Sequence, residues 1–322
     1  MDHGLRTKSL DVMAKVGLLL FVSLLMLAAC ELVVRAFVTV RNVGPSFTMY
    51  SSVYGKRLRP SISVTRITPE FTMRLSTNAQ GFRQPDVVPP GSHPVLFLGD
   101  SFTMGYGVDD GDDFVALIRK AQPHTNGPLL NAGMGANGNG RWLKFLTLEG
   151  PRYAPRLVIL QVMENDFEDN LDEGLFVLRD GNLIEQPIPP PGLGRRIMEV
   201  VPKLAYLHVV GLLRQVHWPA WKGGADGDIP DGTEDLDELT YRLIERAIQL
   251  CQDQGWPLLG LNVGIEGDRL ERMRGLFEEH GVTLLEAPSR ETHPEFYYGI
   301  DGHWNADGHA HVARMLMETR PR

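Results

Sequence analysis

Two cysteines in 322 residues, Cys30 and Cys251, supply no disulfide framework. A chain of this length needs none, because it can bury a large core. Cys251 falls in a helical apolar pattern and reads as a buried thiol, so cysteine usage does not fix the redox compartment. The sequence also lacks any dense Lys/Arg run interleaved with aromatics, and its formal net charge is −8. Both features argue against nucleic-acid binding. No internal repeat is present. What remains, 43% hydrophobic and 22% charged residues, is an ordinary globular balance.

One long apolar run stands at the N-terminus. Arg6, Lys8 and Lys15 precede it, and it extends from Val16 to Ala29 before Glu31 interrupts Leu32, Val33 and Val34. A bilayer span needs about 20 such residues, so residues 16–38 are expected to form a transmembrane helix, with residues 1–15 on the cytoplasmic side. Glu31 and Arg35 are four apart and are placed to pair on one helix face. Two other readings stand beside this one. Leu27-Ala28-Ala29-Cys30 resembles a bacterial lipobox, which would make Cys30 a lipidated N-terminus, and a cleaved signal peptide fits the same run. Against both, apolar residues continue to Val40 without a polar tether. All three place the rest of the chain outside the cytoplasm, at the cell envelope.

Residues 39–92 show no helical periodicity and read as an extended connector. Val53, Ile62, Val64 and Ile67 suggest short strands that pack on the main domain; a plain stalk is the alternative. From residue 93 the pattern alternates. Val95–Leu98, Leu129-Leu130, Leu157–Val162, Leu258–Leu261 and Val282–Leu285 read as buried strands, with helical stripes between them. An insertion near 172–232 holds a hairpin turning at Asp180-Gly181, a helical stretch from Leu204 to Val216, and a Gly/Asp-rich stretch, Gly223 to Asp231, expected to be mobile. The expected fold is α/β, a doubly wound parallel sheet of about five strands spanning 93–322, behind an N-terminal transmembrane helix. In such sheets a site forms beyond the carboxyl ends of the strands.

Those loops carry the unusual residues. Gly99-Asp100-Ser101 follows the first strand, where a serine can act as a nucleophile and its N–H can face an oxyanion; a helix cap is the plainer reading. Asn165-Asp166 follows the third strand, and an Asn side chain offers uncharged N–H donors. Asp301-Gly302-His303 precedes the last helix, with Asn305 as its expected cap. A carboxylate two residues from an imidazole can orient it as a base toward serine. His309 and His311 are two apart on a helix and point to different faces, so a metal site is not expected.

Together these blocks resemble the SGNH (GDSL-like) hydrolase superfamily: strand-Gly99-Asp100-Ser101, a Gly-rich loop after the second strand, Asn165-Asp166, and a C-terminal Asp/His pair. The resemblance covers residues 93–322. It implies Ser101 as nucleophile, His303 as base and Asp301 as its orienting acid, with an oxyanion hole from the Ser101 N–H, a backbone N–H in the second block and Asn165. The second-block glycine of the family falls on Ala136, with Gly135 adjacent. The family spacing Asp-x-x-His is Asp-x-His here. That form, followed by Trp304, resembles the branch related to alginate O-acetyltransferases. Asn78-Ala79-Gln80-Gly81-Phe82-Arg83 is similar to membrane-anchored members of envelope polysaccharide systems.

The expected function is a serine esterase acting on acyl esters, acetyl and glycan esters among them, without metal or organic cofactor. An O-acyltransferase with the same triad and a non-catalytic envelope binding protein on the same scaffold are the alternatives. The first alternative differs only in the acceptor of the acyl group; the second predicts no activity with any activated ester.

Overall fold

The computed structural model describes residues 2–122, 127–216 and 236–319. Helix α1 (Asp2–Phe37) comes first. Its Val12–Phe37 portion, with mean hydropathy 2.5, is long and apolar enough to cross a membrane and is almost wholly exposed, a candidate transmembrane span. Two antiparallel hairpins follow, β1 (Thr48–Ser51) with β2 (Gly55–Leu58), and β3 (Ser63–Ile67) with β4 (Thr72–Ser76). Of the residues expected in strands here, Val64 and Ile67 lie in β3, whereas Val53 is in a turn and Ile62 just precedes β3.

The main domain runs β5 (Val95–Leu98), α2 (Ser101–Met104), α3 (Phe114–Ala121), β6 (Leu129–Asn131), α4 (Asn139–Leu148), α5 (Gly150–Tyr153), β7 (Leu157–Met163) and α6 (Asp166–Glu173). The insertion contributes β8 (Phe176–Arg179), β9 (Asn182–Glu185), α7 (Leu193–Val200) and α8 (His208–Gln215). The chain returns through α9 (Leu236–Asp253), β10 (Leu258–Val263), α10 (Gly267–Glu279), β11 (Thr283–Glu286) and α11 (Ala306–Glu318). Strand order is β11-β10-β7-β5-β6, and every neighbouring pair is parallel. The pleat sends Leu96, Leu98, Val158, Leu160 and Val162 to one face, against Trp142, Ile244, Ile248, Met273 and Phe277. Phe97, Ile159, Leu259 and Leu261 go to the other, against Phe114, Ile118, Val312 and Leu316. Helices therefore cover both faces, as a parallel sheet requires. The first and third strands of the sheet, β5 and β7, are neighbours, so the winding reverses between them and opens a crevice at their carboxyl ends.

The insertion departs from expectation in two places. The stretch 204–216 is not one helix: a 3₁₀ turn (Pro202–Tyr206) ends at an extended Leu207, and α8 starts afresh. The break has a cause. Glu31 of α1 accepts the His208 N–H at 2.9 Å and the Val209 N–H at 3.0 Å, satisfying the donors of a new helix start. Glu31 also accepts from Arg35 at 2.6 Å, the pairing their spacing indicates. Helix α7 was not expected, because Pro189–Pro191 and Gly194 hide its pattern. The Gly223–Asp231 stretch lies outside the described residues.

Candidate active site

Strand β5 delivers Ser101. Gly99 permits the turn out of the sheet, since a Cβ there would meet Thr103 Oγ1 at 2.2 Å and Gln161 Oε1 at 2.3 Å. Asp100 then caps α2 by accepting the Phe102 N–H at 2.9 Å. Gln161, at the middle of β7, accepts from the Asp100 N–H at 3.1 Å and the Thr103 hydroxyl at 2.8 Å, which locks the turn to the sheet. Ser101 opens α2, so its N–H has no intrahelical acceptor.

The segment before α11 brings the other two residues to it. His303 Nε2 lies 2.7 Å from Ser101 Oγ, and His303 Nδ1 lies 2.5 Å from Asp301 Oδ1. An ionised carboxylate can only accept, so Nδ1 carries the proton and Nε2 accepts from the serine hydroxyl. Gly302, at φ +86°, turns the chain within Asp-x-His so that the two side chains meet. The imidazole is held between rings, 4.9 Å from Phe102 and 4.8 Å from Tyr106. Asn305 caps α11, accepting the Asp307 and Gly308 N–H groups at 3.0 and 3.1 Å. His309 is buried on the inner face of α11 against Phe114 and Trp304, and burial pushes it down to about 3, so it is neutral.

Ser101, Gly135, Ala136, Asn165, Asp301 and His303 all line one cavity of about 850 Å3. Gly135 lies beside the serine: a Cβ on it would sit 3.7 Å from Ser101 Cβ. Ala136 has φ +48°, the left-handed conformation that glycine adopts freely, and holds it without being glycine. Its carbonyl accepts from Lys56 and Arg141, which ties the loop down. Asn165 opens α6 but makes no capping bond with its side chain, so the cap reading of this residue fails. Instead Asn165 Nδ2 donates to Asp169 Oδ2 at 2.9 Å. One amide N–H is thus committed; the amide carries a second, which faces the cavity beside the Asp100 carboxyl that the Asn165 amide helps to lower.

Carboxylates gather behind this edge. Burial raises Asp100 and raises Asp166 well above the usual range, and the two repel each other. Burial also pushes Asp169 up to about 7; Lys56 opposes that rise, while Asp100, Glu173 and Asp172 add to it. The sequence gives no sign that Asp100 and Lys56 join the acids of α6, because they come from separate segments.

The sequence also does not reveal Glu70. Both Ile300 and Asp301 donate their backbone N–H to Glu70 Oε2, at 2.9 and 2.6 Å. Next to it Phe71 packs on Tyr298 at 4.6 Å, and the Tyr298 N–H donates to the His303 carbonyl at 2.9 Å. The turn between β3 and β4 therefore supports the Asp301–His303 segment. A Thr-Pro-Glu run signals a turn; nothing in it signals the partner.

No family model and no curated protein matches the sequence. Among solved structures, the chain is similar to a psychrotrophic esterase from Pseudoalteromonas sp., at TM-score 0.42 and 12% identity over 70% of this chain and 95% of that one. An acetyl xylan esterase gives TM-score 0.41 and 14% identity over 70% and 98%. An acetylxylan esterase from Geobacillus stearothermophilus gives TM-score 0.39 and 13% identity over 73% and 100%. What the site of this chain can do follows from its own geometry.

Proposed function

We propose that this chain is an SGNH-type serine esterase that hydrolyses acyl esters, with α1 as its membrane anchor and the catalytic domain outside the cytoplasm. The relay Ser101–His303–Asp301, with both contacts at hydrogen-bonding distance, carries the reading. Ser101 Oγ attacks the carbonyl carbon while His303 Nε2 takes its proton. The oxygen that becomes negative faces the Ser101 N–H, a backbone N–H of Gly135-Ala136 and the second N–H of Asn165. Collapse expels the alcohol, which receives the proton from His303, and leaves an acyl-serine. Water then attacks, gives its proton to His303, and the carboxylic acid departs as Ser101 is reprotonated. Asp301 keeps the imidazole in the productive tautomer and stabilises the cation that forms.

Hydrolysis of p-nitrophenyl acetate by the purified chain tests this. Ser101→Ala is expected to abolish turnover without lowering the melting temperature. Wild-type turnover surviving in a folded Ser101→Ala protein overturns the reading.

A further inference from the structure

The wall of the catalytic cavity away from the triad is cationic. Arg41, Arg66 and Arg214 line it, and among the described residues lining it the one carboxylate is Asp301, which His303 already engages. This is a local reversal in a chain of net charge −8. Arg66 is 5% exposed, stacks over the Phe47 ring at 4.6 Å, and donates to the carbonyls of Gly44 and Pro45 at 3.1 and 2.8 Å. Its Nε is buried without a partner. Arg214 donates to the same Gly44 carbonyl at 3.2 Å. Neither guanidinium has a carboxylate partner among the described residues. Burial pulls Arg66 down to about 10 and lowers Arg214 as well, the sign of positive charge held where it is poorly compensated. A buried charge without a counter-ion is unfavourable, and a cavity with low-dielectric walls focuses its field on whatever enters.

The placement has a structural origin. Val34, Val40, Val43, Val209 and Leu212 form one apolar cluster that ties the end of α1 to α8. Gln215, one residue beyond Arg214 on α8, accepts the Arg41 N–H at 3.0 Å. The mouth of the cavity is therefore built by the segment that immediately follows the apolar helix. The Arg41 side chain is exposed there.

We infer that the substrate is an anionic acyl ester, one bearing a carboxylate or phosphate that the Arg41–Arg66–Arg214 wall receives while the ester carbonyl lies at Ser101. The inference rests on the esterase reading and adds the charge of the substrate to it.

The experiment compares 4-acetoxybenzoate with its neutral methyl ester, methyl 4-acetoxybenzoate, each kcat/KM divided by the rate of hydroxide-catalysed hydrolysis. A third arm uses 4-acetoxyphenyl phosphate, so that carboxylate and phosphate recognition are told apart. The anionic esters are expected to be favoured by about 10-fold, the low end of what a focused field gives, and the advantage should shrink as salt is raised. Arg41→Gln, at an exposed position, and Arg214→Gln should each reduce that ratio several-fold. A ratio at or below one, or a ratio unchanged in both variants, overturns the inference. In that case hydrolysis of the neutral ester, lost in Ser101→Ala, leaves the esterase reading standing. If Ser101→Ala changes neither rate, both fall together.

Discussion

Glu70 Oε2 accepts the backbone N–H of Asp301 at 2.6 Å, linking a hairpin turn to the acid of the proposed triad across 231 residues of chain. The same oxygen accepts from Ile300 at 2.9 Å, so one carboxylate sets the backbone from which Asp301 projects. Among the described residues Glu70 makes no hydrogen bond to Ser101 or His303; it acts through position.

Glu70→Ala should therefore lower kcat with little change in KM. A catalytic group misplaced by about 1 Å can cost about 10²-fold in rate, so a loss of about 10-fold or more is expected. Glu70→Gln keeps an acceptor oxygen and should recover most of the rate. Steady-state kinetics of both variants decide it. A Gln variant as impaired as Ala, or a loss confined to the melting temperature, would remove Glu70 from the supporting structure.

Asp169 gives a pH-dependent prediction. Burial, its largest cause, pushes its carboxyl up to about 7 in the folded chain, from an ordinary value of 3.8. Between those values the unfolded chain has released this proton and the folded chain has not, so rising pH favours unfolding. The stabilisation that Asp169 gives below about 4 is lost progressively up to about 7 and is gone above it. Asp169→Asn removes the titration and keeps an acceptor for Asn165. Melting temperature at pH 8 should rise by several degrees, at about 2–4 °C per kcal/mol for a domain of this size. At pH 4 the two proteins should melt together. Parallel melting curves across the whole range would refute the assignment.

The sheet was legible because each of its strands is a short apolar run between turn signals, and burial on both faces leaves no other way to read Leu157–Val162. The blocks holding Ser101, Asn165 and His303 were legible because each follows a strand of the sheet or precedes a helix packed on it, and they meet in one cavity. The rest depends on partners distant in sequence. Glu70 finds Asp301, Glu31 restarts a helix at His208, and Arg66 meets Arg214 around one carbonyl. Their local sequences resemble any solvated charge, and only the folded chain distinguishes them. Asn165 is the instructive middle case: its place in the loop was readable, but its engagement with Asp169 was not.

That engagement decides how Asn165 should respond to substitution. A capping residue tolerates Asp as well as Asn, so a cap would make Asn165→Asp nearly silent. The side chain makes no capping bond here. It donates one N–H to Asp169, and the cavity it lines with Ser101 is where the other can meet an oxyanion. Asn165→Ala removes that donor, a loss that typically lowers kcat by about 10²–10³. Asn165→Asp removes both donors and sets a carboxylate toward the forming negative oxygen, so activity should fall further, in the order wild type, Ala, Asp. The same carboxylate would face Asp169, whose proton is already held up to about 7 by burial and by neighbouring acids. Below that pH one proton can be shared between the two; above it both are charged. The Asp variant should thus melt near wild type at pH 5 and below the Ala variant at pH 8. Measuring kcat and melting temperature for the three proteins at both pH values separates the roles. An active Asn165→Asp enzyme that melts like wild type at pH 8 would return this residue to a structural part and leave the oxyanion with backbone donors alone.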